Sequence, residues 1–124
     1  MSEEGVRDME QFVNRSALII KPTEKLISWL KSVDPTITDS ECDYILKVAG
    51  TVYLVDEINT GQKKEIETII ENRYKFILQH ELFSLVPDES KWQEKITYQF
   101  FNEFFDVTSI GEVIDVFENP IQKW

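Results

Sequence analysis

The chain has little of what several specialised protein classes require. Among its 124 residues there is one cysteine, Cys42, and one histidine, His80. A single cysteine excludes an intrachain disulfide and indicates a reducing compartment. These two residues are also too few ligands for a zinc site. The four glycines are scattered, so they form no phosphate-binding loop, and no serine lies in a G-x-S-x-G motif.

Long hydrophobic runs are missing as well. The longest unbroken apolar run, residues 17–20, is far shorter than the ~20 residues that span a bilayer. The first residues lack the basic and apolar regions of a secretory signal. These observations predict a cytoplasmic protein without membrane association.

Positive charge is scarce. The chain has 13 Lys and Arg against 23 Asp and Glu, a formal net charge of −10. Nucleic acids and anionic membranes require cationic patches, so neither is expected as a partner. Residues 81–124 hold nine acidic and three basic residues, whereas residues 13–79 hold ten and nine. This C-terminal excess serves solubility, or it forms a face complementary to a basic partner.

The remaining composition is that of one folded domain. Hydrophobic residues make up 42% of the chain and aromatic residues 12%. A chain of this length buries enough surface to fold without a disulfide or a metal. We expect residues 1–12 to form a flexible acidic tail and residues 13–124 to form a single domain.

The first third of the chain predicts one strand and two helices. Residues 16–21 form an apolar run before Pro22, typical of a strand that is buried on both faces. A helix over 24–33 follows, with Thr23 as its N-cap. A capping-box pattern from Thr38 to Glu41 begins a short helix over 39–48, which buries Cys42.

The middle of the chain holds the clearest helical pattern. Gly50 suits the left-handed position after the short helix, and residues 51–56 are dense in β-branched and aromatic residues, as strands are. Residues 59–61, Asn-Thr-Gly, predict a turn. Apolar residues then recur at spacings of three and four, which predicts a long amphipathic helix over 62–83.

The C-terminal part predicts a further helix and strand. Ser90 and Gln93 match a capping box, and aromatic residues step by four over a helix at 91–104. Gly111 indicates a bulge or a close backbone approach, and Val113–Val116 is the expected centre of the third strand. The order β-α-(α)-β-α-α-β predicts an α+β two-layer sandwich. In it, about four helices pack largely on one face of a three-stranded sheet.

Several strand segments resemble those of a known group of proteins. The fragments are RSALIIKP (15–22), TVYLV (51–55), FFDV (104–107) and VID (113–115). They are similar to a family of small acidic uncharacterised bacterial proteins. Those proteins have a strand R-x-A-h-h-h-[KR]-P, a TVYL strand, and a [WF]-F-D-V segment before a valine-rich strand. The resemblance spans residues 14–116. It implies a shared fold and a bacterial origin, and because the family has no assigned activity it carries over no catalytic residue.

Aromatic residues are concentrated beside the C-terminal acidic residues. A helix over 91–104 cannot bury all of its rings against one sheet, so some are expected at the surface. An apolar patch rimmed by acids is typical of a protein-binding site. The residues expected to contact a partner are Trp92, Tyr98, Phe101, Glu94, Glu103 and Asp106.

Residues that carry catalytic chemistry are few. Asp56 and Glu57 follow the second strand, where sites often open. An enzyme using them predicts a pocket that holds Asp56, Glu57 or Asp115, with raised carboxyl pKa values. His80 is interpreted as a surface residue that does not face Glu81, since adjacent helical residues point apart.

The sequence favours a small cytosolic, non-catalytic protein-binding or accessory protein. It would use an acidic aromatic surface within 91–118 toward a basic protein. We expect no cofactor, no metal, and a monomer or weak homodimer. Two alternatives stay open: an immunity- or inhibitor-type protein for a basic enzyme, and a small enzyme with a carboxylate site near Asp56 and Glu57. A purely structural homo-oligomer is a third class.

Overall fold

The computed structural model describes residues 13–116, so the predicted tail over 1–12 lies outside the described residues. The strands are β1 (Ser16–Pro22), β2 (Thr51–Val55) and β3 (Phe105–Ile110). The helices are α1 (Glu24–Val33), α2 (Asp39–Lys47), α3 (Lys63–Leu85) and α4 (Tyr98–Phe104). Two 3₁₀ turns, Glu89–Lys91 and Gln93–Lys95, lie between α3 and α4. The predicted α+β class and element order are confirmed.

The three strands form one antiparallel sheet in the order β2-β1-β3. Leu18 on the central strand pairs with Tyr53 on one side and with Ser109 on the other. Leu18 and Ile20 are fully buried on the inner face, where the helices pack. Ile19, on the outer face, is only half-buried. Ala17, on the same outer face, is buried, so the expectation that the first strand is buried on both faces holds for the inner face and in part for the outer face.

Helix α3 supplies much of the hydrophobic layer over the sheet. Its buried apolar residues recur at helical spacing: Ile69, Ile70, Ile77, Leu78 and Leu82. Each large apolar side chain that leaves water in this way stabilises the fold by about 1.5–3 kcal/mol. Phe100, Phe101 and Trp92 join the same core. Phe100 packs edge-on against Trp29 of α1, and Phe101 lies beside Tyr74 of α3.

The predicted caps of the first two helices are confirmed. The Thr23 hydroxyl accepts from the backbone N–H of Leu26, and Thr38 and Glu41 form both bonds of a capping box. The expectation for Gly50 is wrong, because within residues 13–116 the only positive φ belongs to Gly61, at 71°. Helix α2 ends without a left-handed residue: its C-cap Val48 has φ −114° and ψ −37°, and the Val48 N–H donates to the Tyr44 carbonyl.

The predicted helix over 91–104 is shorter than expected. Ser90 does not begin it; the Asp88 side chain instead accepts from the Ser90 N–H and holds the first 3₁₀ turn. The indole N–H of Trp92 donates to the buried Val86 carbonyl over 2.7 Å, which draws the ring into the core. Thr97 is the N-cap of α4, so only the last turns of the predicted helix form.

The third strand lies earlier than expected. Strand β3 follows α4 directly and ends before Gly111, whereas Ile114 forms only an isolated bridge within the described residues. Phe105 pairs with Pro22, and Val107 pairs with Ile20 on the inner face. Pairing in this register buries Phe105 against the core, and a strand centred on Val113–Val116 would leave that ring outside the sheet.

Candidate functional site

A groove of about 550 Å³ runs along α3 and faces the 3₁₀ turns. Its residues include Phe76, His80, Phe83, Glu89, Trp92 and Ile96. We call this surface the α3 groove. Phe76 and Phe83 are seven residues apart, so they lie on one face of the helix with His80 between them. Their exposed fractions are 68% and 54%, which is high for phenylalanine.

The opposite wall of the α3 groove comes from the segment that follows α3. Trp92 lines the groove but is only 4% exposed, and its indole N–H is already bonded to Val86. Ile96 is half-buried beside it. The groove therefore has a fixed apolar wall and an opposite rim of exposed phenylalanines.

A polar network links β2 to α3 beneath this groove. The side chain of Glu81 is 10% exposed. One of its oxygens accepts the hydroxyl hydrogens of Thr51, over 2.8 Å, and of Tyr53. Burial is the main cause that raises the pKa of the Tyr53 phenol well above its usual range. The hydrogen bond to Glu81 and the negative charge of Glu81 raise this pKa further.

His80 is the third member of this network. Its Nδ1 lies 2.8 Å from the Tyr53 hydroxyl oxygen. Because the single hydroxyl hydrogen of Tyr53 is donated to Glu81, His80 donates its Nδ1–H to Tyr53. In the neutral imidazole, Nε2 is then left as an acceptor.

The expectation that His80 does not face Glu81 is wrong, although its surface exposure is confirmed. The two side chains approach to 3.5 Å, and the Tyr53 ring packs edge-on against the imidazole. The backbone directions do diverge, but a third residue from the sheet brings both polar groups together. The signal in the sequence is Glu81 itself, a charged residue between Leu78 and Leu82 on the apolar stripe of α3.

A second pocket lies on the other flank of α3. It has a volume of about 330 Å³ and shares no lining residue with the α3 groove. Glu81 and Ser84 contribute from α3, Thr51 from the start of β2, and Tyr44 from α2. We call this the Glu81 pocket. Glu81 thus connects a polar network with a cavity.

The carboxylates after the second strand do line a concave surface. Asp56, Glu57 and Arg73 are among the residues around a groove of about 590 Å³. Arg73 donates to both oxygens of Asp56 over 2.9 and 3.1 Å, and this guanidinium holds the pKa of Asp56 below its usual range. The enzyme alternative predicts a raised pKa there, and for Asp56 the structure contradicts it. Asp115 is not among the described residues that line this groove.

The six residues expected to contact a partner do not form one face. Trp92 and Phe101 lie in the core, where Phe101 is fully buried. Tyr98 is half-buried and packs against Tyr74, with 5.3 Å between ring centroids. The three acidic residues are exposed but belong to different elements: Glu94, Glu103 and Asp106. Sequence reasoning missed Phe76 and Phe83, because it assigned the aromatic surface to the segment after α3.

Residues 13–116 contain no group of three or more His, Cys, Asp or Glu side chains placed to hold a metal ion. None of the helices described is long and apolar enough to cross a membrane.

No family model, curated protein or solved structure matches the chain. Membership of the bacterial family that it resembles stays a prediction.

Proposed function

We propose that this chain is a small non-catalytic protein-binding protein, and that the α3 groove receives an apolar segment of a basic partner. The observation that supports this most is the exposure of Phe76 and Phe83 on the same face of α3. Contiguous apolar surface beside polar residues is typical of interaction sites on soluble proteins. A groove along a helix also suits an amphipathic helix or a short extended segment.

The charge of the chain supports a basic partner. Glu89 lies on the groove wall and Glu94 is exposed in the next 3₁₀ turn. Residues 81–124 carry nine acidic and three basic residues, and a chain with a net charge of −10 is surrounded by a negative field. Such a field accelerates association with a positively charged protein, and salt weakens it. The expected segment therefore places apolar side chains between lysines or arginines.

His80 gives the groove a polar contact point. Its Nδ1–H is used by Tyr53, so in the neutral ring Nε2 accepts a hydrogen bond from the partner. The Tyr53 bond also fixes the orientation of the imidazole. A polar group that is held in place between two apolar anchors favours one binding geometry over others.

The proposal is tested by removing the apolar rim and comparing captured proteins. The double variant F76S/F83S is compared with wild type and with V52T, which changes a residue that is 61% exposed on the outer sheet face. We expect a basic host protein to be captured by wild type and V52T, less at high salt, and to be lost with F76S/F83S. The same proteins captured by all three chains would contradict the proposal.

The immunity- or inhibitor-type alternative is a narrower form of the same proposal. It holds if the captured partner is a basic enzyme whose activity falls as the complex forms. The enzyme alternative is less well supported, since Arg73 keeps Asp56 ionised. We place the protein in the cytoplasm as a monomer or weak homodimer, on the basis of its single cysteine and its composition.

A further inference from the structure

We propose that the Glu81 pocket binds a primary ammonium group carried on a short alkyl chain. This site is separate from the α3 groove and does not depend on the proposed protein partner. Its volume of about 330 Å³ is near the lower end of small-molecule pockets, which span about 300–1,000 Å³. Among the described residues that line it, Glu81 is the only charged one.

The negative charge of Glu81 is incompletely compensated by its described neighbours. A carboxylate that is nine-tenths buried requires strong partners, because transfer of an ionised group out of water is costly. Its two side-chain donors are the neutral hydroxyls of Thr51 and Tyr53. No lysine or arginine among residues 13–116 forms an ion pair with it, and His80 supplies positive charge only when protonated.

The hydrogen bonds of Glu81 favour an ammonium over a guanidinium as the bound cation. Both hydroxyl hydrogen bonds end on Oε2 of Glu81, which leaves Oε1 for a ligand. A guanidinium binds a carboxylate best through both oxygens, whereas an ammonium is a point charge that one oxygen can satisfy. Ser84 and Thr51 also line the pocket, and because their hydroxyl hydrogens are donated to the His80 carbonyl and to Glu81, their oxygens are further acceptors for the remaining N–H groups.

The side chains around the carboxylate suit an apolar ligand body. The pocket has apolar walls from Tyr44, Val48, Leu85 and Phe105, and Tyr44 and Val48 are largely exposed. An alkyl chain would cover this surface and gain from the area removed from water. A fully polar cation would lose that contribution, so the walls select an alkylammonium. Free amines and protein lysine side chains both have this chemistry.

The test is a titration of the full chain, followed by amide chemical shifts, with n-butylammonium and with Nα-acetyl-lysine N-methylamide. Uncharged n-butanol is the ligand control. E81Q keeps the shape and removes the charge, and E71Q changes an exposed glutamate of the same helix. We expect n-butylammonium to shift the amides of residues 49–51 and 84. We also expect E81Q to weaken binding by at least about tenfold while E71Q has no effect.

The outcomes distinguish a free amine from a protein lysine as the source of the bound ammonium group. Binding of both ammonium compounds supports a protein lysine as ligand, whereas binding of n-butylammonium alone supports a free amine. If neither binds, if n-butanol binds equally well, or if E81Q binds like wild type, the proposal is wrong. If E81Q does not fold, S84L is the second variant, because Ser84 is exposed and a leucine there fills the pocket. Binding of n-butylammonium by S84L as tightly as by wild type contradicts the proposed site.

Discussion

Tyr53 on β2 donates its hydroxyl hydrogen to the carboxylate of Glu81 on α3. The two residues are 28 positions apart, so this bond fastens the long helix to an edge strand of the sheet. Thr51 donates to the same oxygen from the same strand. The network has members at both surfaces, since His80 lines the α3 groove and Thr51 and Glu81 line the Glu81 pocket.

The first prediction concerns the Tyr53 hydroxyl. In Y53F, Glu81 loses one of two hydroxyl donors while its carboxylate stays buried. We expect the free energy of unfolding at pH 7 to fall by about 1–3 kcal/mol, since a buried acceptor loses its partner. Urea denaturation measures the change. Y44F is the matched control, because Tyr44 is 62% exposed, and it should leave the midpoint unchanged. Equal midpoints for Y53F and wild type would contradict the structural role.

The second prediction concerns alkaline pH. The folded state holds the pKa of Tyr53 above the ordinary 10.0, so folding favours the protonated phenol. The stability that this contributes is fully present below about pH 10 and is lost as the pH rises above it. Wild type should therefore lose unfolding free energy more steeply than Y53F as the pH rises from about 10 to about 11. Urea denaturation across this range measures both slopes, and parallel slopes would exclude Tyr53 as the cause.

The third prediction concerns the loop before α3. The Glu65 carboxylate accepts the backbone N–H groups of Asn59, Thr60 and Gly61 over 2.8, 2.9 and 3.0 Å. These bonds lower the pKa of Glu65 to about 2. A lowered pKa stabilises the fold at neutral pH, and that contribution disappears as the pH falls from the ordinary 4.5 toward 2.

We expect E65Q to be less stable than wild type at pH 7, with the difference shrinking through this acidic range. The amides of residues 59–61 should also exchange faster with solvent in E65Q, since they lose their acceptor. Urea denaturation at several pH values and amide exchange measure the two effects. E71Q, on the exposed face of α3, is the control. A difference that is constant from pH 7 to the lowest pH would contradict the assignment to Glu65.

Local signals in the sequence were sufficient for several elements. The capping box of Thr38 and Glu41, the turn at 59–61 and the periodic stripe of α3 each depend on residues within a few positions of one another. Such interactions are encoded by spacing alone. The predicted starts of α1 and α2 therefore agree with the structure. The predicted end of β2 lies within one residue of Val55, and the predicted ends of α3 lie within two residues of those observed.

Contacts between residues far apart in the sequence determine the position of β3 and the network at Glu81. Val107, Ile110, Val113 and Ile114 are all good strand formers, so propensity could not choose the register of β3. Pairing of Phe105 with Pro22 made that choice. The partners of Glu81 could not be predicted from the sequence, because Tyr53 reaches it from another element. A charged residue within the apolar stripe of α3 was the only local sign of the network.

The last prediction separates a core role from a partner contact at Trp92. The indole N–H donates to the Val86 carbonyl over 2.7 Å, and both residues are buried. W92F leaves that carbonyl without its donor, so we expect a loss of about 1–3 kcal/mol in the free energy of unfolding, measured by urea denaturation. W29F makes the same change in size at a half-buried ring that packs edge-on against Phe100, and it should cost less. If Trp92 acted only through a partner, W92F would unfold like wild type and lose binding alone. A stability loss in W92F that exceeds that of W29F assigns the ring to the core, where it forms the fixed wall of the α3 groove.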